Sequence, residues 1–235
     1  MQKSTSELPE WEQVLSSAAH LQRILPDAVL VGGTAAAIYA AHRLSTDADH
    51  VLSDLREHFD HVLAELESVA GWKTARVRRP VLILGSLDGI ETGVRQLIRE
   101  RPLDTAEIER FGLQITLPTL AEMLRIKAVL ILKRNATRDY LDFAALADRL
   151  GEDETVLALR SFDSIYQQPN EESALQQLQI QLATPLPFDL DEVDLAEYKH
   201  LTPRWSDWSA VQSACVACAL LIFDRIIGIE GGEQA

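Results

Sequence analysis

Apolar positions along the 235-residue chain follow two different periods, and the period changes near residue 118. On the N-terminal side, helically spaced apolar segments are mixed with short apolar or alternating runs. Helices are predicted over residues 11–25, 34–42 and 53–69, the last with Ser53 as its N-cap. Strands or extended segments are predicted over residues 28–31, 46–52, 72–79, 81–85, 90–97 and 113–117, with a hairpin turn at Asp88-Gly89.

From Thr119 onward the apolar spacing is helical. Thr119 and Glu122 have the spacing of a capping box, which predicts a helix over residues 120–134. Asn135 suits the left-handed position that ends this helix, and a second helix is predicted from Thr137. The predicted class is therefore α+β, with a small mixed sheet flanked by helices over residues 10–117 and an all-helical part over residues 118–235.

Composition predicts a soluble cytoplasmic protein that does not enter a membrane. Hydrophobic residues make up 47% of the chain, which is enough for a sizeable core. The sequence has no stretch approaching the roughly 18 consecutive apolar residues of a membrane span, and the first residues lack the apolar run of a secretory signal. Cys215 and Cys218 are the two cysteines, so we expect no disulfide framework and interpret both as packing residues.

Charge is distributed unevenly along the chain. The formal net charge is −14, and residues 151–235 hold 15 acidic residues against four basic ones. Basic residues cluster instead in KTARVRR, VRQLIRER and LRIKAVLILKRNATR. These clusters favour a polyanionic partner such as tRNA or a nucleoside triphosphate, whereas the acidic half would repel duplex DNA. A mixed solvated surface remains the simpler interpretation of any single cluster.

The segment LVGGTAAAIYAAHRLSTDADH contains the strongest candidate chemistry. Gly32, Gly33 and Thr34 follow a strand and open a helix, where backbone N–H groups without a nearby Cβ can bind phosphate oxygens. Asp47 and Asp49 are two residues apart in an extended segment, so both carboxylates face the same side. Such a pair suits Mg²⁺ or Mn²⁺. Taken alone, the glycines favour a simple turn and the aspartates favour a solvated loop.

Together these residues resemble a known signature. Gly32-Gly33-Thr34, followed by Arg43 and the run from Ser45 to Asp49, is similar to the GG/GS and D-x-D motifs of DNA polymerase beta-like nucleotidyltransferases. The resemblance is closer to the AbiEii/AbiGii toxin branch, which continues with a lysine helix and an Arg/Lys-Asp-x-x-Asp motif. Lys127 and the run Arg138-Asp139-Tyr140-Leu141-Asp142 match these later motifs.

The resemblance implies a Mg²⁺-dependent (or Mn²⁺-dependent) enzyme that moves a nucleotide from a nucleoside triphosphate to an acceptor hydroxyl. It implies metal binding by Asp47 and Asp49, and nucleotide binding by Gly32, Gly33, Thr34, Ser45, Lys127, Arg138 and Asp139. Asp142 would lie near the acceptor as a base or positioning group, and the helical part would complete the cleft. The acceptor would be tRNA, another nucleic-acid end or a protein, and the chain would be the toxin of a toxin–antitoxin or phage-defence pair with an antitoxin partner.

One departure from the superfamily concerns a third carboxylate on a later strand. The corresponding segment here reads IETGVRQL, with Arg95 and Gln96 where an acid is expected. Glu91 is the candidate that replaces it as a metal ligand, because Asp88 is assigned to the hairpin turn. If Glu91 does not reach the metal, the alternative prediction is a weakly active or inactive nucleotide-binding module that acts through protein–protein interaction.

Overall fold

The computed structural model describes residues 9–168 and 172–228. The chain divides between Thr119 and Leu120 into two compact units, which we call unit 1 and unit 2. Unit 1 contains all the strands of the described residues together with three helices: α1 (Pro9–Ile24), β1 (Val29–Leu30), α2 (Gly32–Ala40), β2 (Asp47–Leu52), α3 (Leu55–Ser68), β3 (Trp72–Arg78), β4 (Leu82–Leu87), β5 (Ile90–Gln96), β6 (Thr105–Arg110) and β7 (Leu113–Pro118).

Five of these strands form a mixed sheet in the order β1-β2-β5-β4-β3. Only the β2–β5 pair is parallel, whereas β1–β2, β4–β5 and β3–β4 are antiparallel. Strands β6 and β7 form a separate antiparallel pair. Because β2 and β5 are far apart in sequence, their pairing brings the segment around Asp49 beside the segment around Gly93.

The sheet of unit 1 has one covered face and one open face. Residues of β2 alternate strictly between half-buried and buried, starting with half-buried Asp47. The covered face joins Leu52, Ile83 and Val94 to a core that also includes Leu21, Leu25, Ala28, Leu55, Phe59, Val62, Leu66, Trp72 and Leu87. The aspartates of β2 are therefore on the open face, since side chains alternate along a strand.

Unit 2 is helical throughout its described residues. Its helices are α4 (Leu120–Arg134), α5 (Thr137–Leu150), α6 (Glu152–Leu159), α7 (Phe162–Ile165), α8 (Ala174–Ala183) and α9 (Trp208–Ile222), with short 3₁₀ turns at Leu195–Glu197 and Pro203–Ser206 and a π-helical turn at Phe223–Ile227. Helix α5 packs against α4 and α9, and α8 also packs against both of these helices. The α+β class with a helical C-terminal part is confirmed.

Most predicted elements are present in the structure, but α2 spans Gly32–Ala40 and not residues 34–42, the N-cap of α3 differs, and one strand was missed. Asp88 and Gly89 both have positive φ, as the predicted hairpin requires, and Asn135 has the predicted left-handed conformation. Ser53 is not the N-cap of α3, because the helix begins after Asp54 and the Ser53 carbonyl accepts a hydrogen bond from Gln96. Strand β6 was not predicted, because its sequence TAEIER lacks a run of apolar residues.

Helix α9 continues into the π-helical turn, and together they form the one segment among the described residues that is apolar and long enough to cross a membrane. This segment spans Trp208–Ile227, and length and composition are the only support for a membrane role. Val211, Cys215 and Ile222 are buried within unit 2, whereas only 33% of the apolar window is buried and Leu220 is exposed. Burial raises the pKa of Cys218 to about 12, which fits a packing thiol that does not ionise at neutral pH.

Candidate functional site

The open face of the five-stranded sheet carries two carboxylates on β2. Asp47 is paired in register with Glu91 of the parallel strand β5, and Asp49 is paired with Gly93. Register partners in a sheet project to the same face, so Asp47, Asp49 and Glu91 share the open side. The buried residue Ala48 lies between the two aspartates on the covered side. The expected convergence of the aspartates on one face is therefore present.

The glycine turn adjoins the same strand. Gly32 has a φ of 76°, a conformation that favours glycine, and it is the first residue of α2. Val31 donates its backbone N–H to the Asp49 carbonyl at 2.8 Å, and the Thr34 hydroxyl donates to the Asp47 carbonyl at 2.5 Å. These two hydrogen bonds fix the N-terminus of α2 against the strand that carries the aspartates.

Arg43 and Ser45 lie beside this turn. A Cβ added to Gly33 would be 2.5 Å from Nη2 of Arg43 and 2.9 Å from Oγ of Ser45, so only glycine leaves room for both side chains as they stand. Ser45 also donates its hydroxyl hydrogen to Oδ1 of Asp47 at 2.5 Å. The Arg43 guanidinium is thereby brought to the beginning of α2, where the helix dipole also favours an anion.

Asp49 has a cationic neighbour on β5. Its Oδ1 lies 3.5 Å from Nη2 of Arg95, and the Arg95 and Asp49 side chains are 41% and 27% exposed. The carboxylate leans over Gly93, where an added Cβ would collide with Oδ1 of Asp49. Gly93 therefore allows Asp49 to reach across to Arg95, which stands where the superfamily pattern has an acid.

Glu91 is placed beside Asp47 but is solvent-exposed. Within residues 9–168 and 172–228, no group of three or more His, Cys, Asp or Glu side chains is arranged to hold a metal ion. Two carboxylates alone still suit a hydrated Mg²⁺ or Mn²⁺, which binds through one or two protein oxygens and keeps its waters. The donor set thus fits a single hydrated divalent ion at Asp47 and Asp49.

His50 follows Asp49 but points to the covered face of the sheet. The side chain is fully buried, and its Nδ1 lies 3.1 Å from the Ala48 carbonyl oxygen. Burial lowers the pKa of His50 to about 4, so the imidazole is neutral at pH 7. This residue supports the strand from behind and is not part of the open face.

The second block of predicted residues lies in unit 2. Nζ of Lys127 on α4 is 3.2 Å from Oδ1 of Asp139 and 2.7 Å from Oδ2 of Asp142, both on α5. All three side chains are almost completely buried. Oδ2 of Asp139 has no hydrogen-bond partner among the described residues. The structure therefore brings these three predicted residues together as one buried ionic cluster.

Arg138 points away from that cluster. It is exposed and lines a shallow cavity of about 520 Å³ with Arg134, Ala136, Phe188, Asp189 and Tyr198. Oδ1 of Asp189 accepts hydrogen bonds from both the backbone N–H and the hydroxyl of Thr137, at 2.7 and 2.8 Å. Arg138 is the basic residue of the run from Arg138 to Asp142, and its side chain is exposed, so a ligand can reach it from solvent.

Two residues near the aspartates had not been included among the predicted site residues. Arg43 belongs to the motif by sequence, but only the structure shows that its guanidinium adjoins Gly33. Arg95 was recognised as a departure from the pattern, yet its contact with Asp49 depends on the β2–β5 register and on Gly93. Gly93 carried no sequence signal, because a lone glycine within a strand has many explanations.

Comparison with known proteins gives partial sequence matches. No protein-family model matches the chain. It is 32% identical over 130 residues to the mycolic acid-containing lipids exporter MmpL11 of Mycolicibacterium smegmatis, covering 54% of this chain and 13% of the relative. It is 28% identical over 233 residues to the heme uptake protein MmpL11 of Mycobacterium tuberculosis strain H37Rv, covering 90% of this chain and 23% of the relative. The chain thus spans less than a quarter of the length of these relatives.

A solved structure gives a match over nearly the whole chain. A crystal structure of an H. pylori protein, assigned provisionally as a nucleotidyltransferase, superposes with a TM-score of 0.53 at 16% identity and covers 93% of this chain and 98% of that chain. At this identity the likeness concerns the fold, and membership of the AbiEii/AbiGii branch stays a prediction. The chain thus shares its fold with this H. pylori protein.

Proposed function

We propose that this protein transfers a nucleotidyl group from a nucleoside triphosphate to an acceptor hydroxyl. One observation carries the proposal: the N-terminus of α2 is hydrogen-bonded to the same strand that projects Asp47 and Asp49 from the open face of the sheet. The turn that would bind phosphate and the carboxylates that would bind metal are thereby held next to each other. Phosphoryl-transfer catalysis depends mainly on such positioning and on charge neutralisation.

The turn at Gly32, Gly33 and Thr34 would bind the β- and γ-phosphates through backbone N–H groups at the positive end of α2. Arg43 adds a guanidinium beside Gly33, and this positive charge favours the same anion. Ser45 donates to Oδ1 of Asp47 and thereby orients that carboxylate. These residues would contact the phosphates and not the base, so the base would be selected elsewhere.

Asp47 and Asp49 would hold Mg²⁺ or Mn²⁺, with Glu91 as the proposed additional ligand. A bound divalent ion supplies Lewis-acid stabilisation of charge on the phosphate oxygens. The two carboxylates would also repel the triphosphate when no cation is bound, so nucleotide affinity is expected to depend on the metal.

We propose that four residues of unit 2 take part in the same reaction. Asp142 would position the acceptor hydroxyl or accept its proton, and Asp139 would align Lys127 with it. Lys127 would contribute positive charge toward the triphosphate, and exposed Arg138 would contact a phosphate directly.

The proposed biological setting is a toxin–antitoxin or phage-defence pair in the cytoplasm. The acceptor would be tRNA, another nucleic-acid end or a protein hydroxyl, and a separate antitoxin protein would restrain the activity. Support for this setting comes from the order and spacing of the Gly32–Asp49 and Lys127–Asp142 motifs alone.

Label transfer tests the proposed activity. The full chain is incubated with each α-labelled nucleoside triphosphate, Mg²⁺ and either total tRNA or a cell protein extract. We expect label in one acceptor fraction and a loss of roughly a hundredfold or more in Asp47→Asn and Asp49→Asn, as for removal of a group that stabilises transition-state charge.

Asp27→Asn serves as the matched control, because Asp27 is an exposed aspartate in the turn after α1. This variant is expected to keep full activity. Transfer that persists in both Asp47→Asn and Asp49→Asn, or that is absent with every triphosphate and acceptor, contradicts the proposed activity.

A second candidate function is a nucleotide-binding module with little or no turnover that acts through protein–protein interaction. The contact between Arg95 and Asp49 favours it, because a fixed cation competes with a metal ion for that carboxylate. In that case nucleotide with Mg²⁺ would raise the melting temperature of the chain, and no triphosphate would be consumed. Measured turnover that depends on Asp47 would exclude this alternative.

A further inference from the structure

Strand β3 carries a row of cations at the far edge of the same sheet. Lys73, Arg76 and Arg78 are all exposed, and β3 is the last strand in the order β1-β2-β5-β4-β3. Their spacing along the chain is three and then two residues, which a regular strand would divide between opposite faces. The sequence alone therefore does not predict that these three side chains lie on one face of the sheet.

A β-bulge brings the three cations onto one face. The register of β3 against β4 shifts between Thr74 and Arg76, so that Ala75 is the extra residue. Lys73 pairs with Ser86, Arg76 with Leu84 and Arg78 with Leu82, and these three β4 residues alternate with the buried ones. A one-residue shift moves all following side chains to the other face of a strand. The bulge thus places Arg76 and Arg78 beside Lys73.

The same face carries the two aspartates. Ser86 pairs with Glu91, which pairs with Asp47, and Leu84 pairs with Gly93, which pairs with Asp49. The cations and the acids therefore lie at opposite sides of one open surface. With strands about 4.8 Å apart, three strand intervals separate them by roughly 14 Å.

We propose that Lys73, Arg76 and Arg78 bind the phosphate backbone of an RNA strand whose end is the acceptor for the reaction at Asp47 and Asp49. This inference rests on the proposed function and specifies its acceptor class. The row extends for roughly 15 Å along β3, long enough to contact successive phosphates of one strand. The carboxylates on β2 repel the backbone, so the RNA is bound at the cationic side and only its end approaches the metal.

Equilibrium binding of a fluorescein-labelled 12-nucleotide RNA to the full chain, followed by anisotropy across a salt series, tests the inference. We expect Lys73→Gln/Arg76→Gln/Arg78→Gln to bind at least about tenfold more weakly near 50 mM salt. The slope of log affinity against log salt is expected to fall by about 2, since each lost phosphate contact to a single strand removes about 0.7.

A control variant removes the same number of positive charges elsewhere. Lys133, Arg149 and Arg160 are exposed in unit 2, and their replacement by Gln changes the net charge equally. We expect this control to keep the wild-type salt slope. Equal affinity in wild-type chain and β3 variant, or an equal loss in both variants, overturns the inference, because the row would then make no local contact with RNA.

The two proposals fail in different ways. If the β3 variant loses RNA binding while no triphosphate yields label transfer, the RNA site stands and the nucleotidyl-transfer activity does not. If label is transferred to protein at the same rate in wild-type chain and β3 variant, the activity stands and RNA as its acceptor is overturned. Gel filtration of the β3 variant gives one further outcome. Self-association with unchanged RNA binding would show that the cations only prevent the edge strand from pairing with another chain. That result would also overturn the inference.

Discussion

Asp49 has a neighbour that opposes metal binding. Arg95 brings a positive charge to 3.5 Å from Oδ1 of Asp49. Asp47, by contrast, is oriented by the neutral hydroxyl of Ser45. The two carboxylates are therefore not equivalent, and Asp47 is expected to be the stronger ligand.

Removing the charge of Arg95 should strengthen metal binding. In Mn²⁺ titrations followed by electron paramagnetic resonance, Arg95→Gln is expected to bind about tenfold more tightly than the wild-type chain, because one repulsive charge a few ångströms away is lost. Arg95→Lys keeps the charge and should keep the wild-type affinity. Arg78→Gln is the second control, since Arg78 lies in the same row of the sheet but two strands from β5. Unchanged Mn²⁺ affinity in Arg95→Gln would contradict this account.

His50 should make stability depend on pH. Burial holds the folded-state pKa of His50 at about 4, below the ordinary value of 6.5. The unfolded chain therefore binds the proton more readily, and stability is complete above pH 6.5 and falls as the pH is lowered toward 4. The full loss corresponds to roughly 3 kcal/mol.

Urea unfolding at pH 7.5 and pH 5 measures this effect. The difference in stability between the two pH values should shrink in His50→Gln, which cannot take up the proton. His58→Gln is the control, because His58 is exposed on α3. An equal pH difference in wild-type chain and His50→Gln would argue against a buried neutral imidazole.

At the residue scale, the sequence was sufficient to predict that Asp47 and Asp49 share one face beside the glycine turn, because this placement depends on neighbours within about 20 positions. It was not sufficient for Arg95. That side chain meets Asp49 across 46 positions, and the meeting requires both a parallel register and a glycine between them. No local pattern contains that information.

Helices α4 and α5 are joined by the buried cluster of Lys127, Asp139 and Asp142. Within this cluster one ammonium contacts two carboxylates, at 3.2 Å from Asp139 and 2.7 Å from Asp142. Breaking a buried ion pair is costly because the remaining charge is left without compensation. The lysine is therefore expected to be far more important to stability than Asp139.

Substitutions in the cluster test whether Lys127 contributes more to stability than Asp139 does. Lys127→Met should destabilise the chain by about 3–5 kcal/mol, since two buried carboxylates would lose their cation. Asp139→Asn should cost less than about 1 kcal/mol, because Lys127 keeps its ion pair with Asp142 at 2.7 Å. Denaturant unfolding measures both, and Lys133→Met at the exposed end of α4 is the control, expected to change stability by less than about 0.5 kcal/mol. A larger loss of unfolding free energy in Asp139→Asn than in Lys127→Met would contradict the expected importance of the lysine.

At the element scale, periodicity located nearly every long helix and most strands of the described residues. It did not locate β6, whose partner β7 supplies the apolar residues Ile115 and Leu117 while β6 itself is largely polar. It also did not detect the bulge in β3, because Ala75 looks like an ordinary strand residue. Both features are defined by the partner strand and not by the element's own sequence.

At the scale of the whole molecule, charge distinguishes the C-terminal part from the rest of the chain more clearly than hydropathy does. The cations of the open face lie in unit 1, whereas residues 151–235 carry most of the net negative charge. An anionic partner is therefore expected to be attracted to one part of the chain and repelled by the other. This asymmetry was visible from the sequence, but the face on which the cations lie was not.

The parallel pairing of β2 with β5 also affects the order of folding. The hairpins β3–β4 and β4–β5 join neighbours in sequence, whereas the β2–β5 pairing closes a loop of about 40 residues. Local contacts form earlier on average than distant ones, because distant pairing first requires loop closure. Asp49 is therefore expected to meet Arg95 only after the hairpins have formed, so the open face that carries the aspartates is completed in one of the last steps of folding.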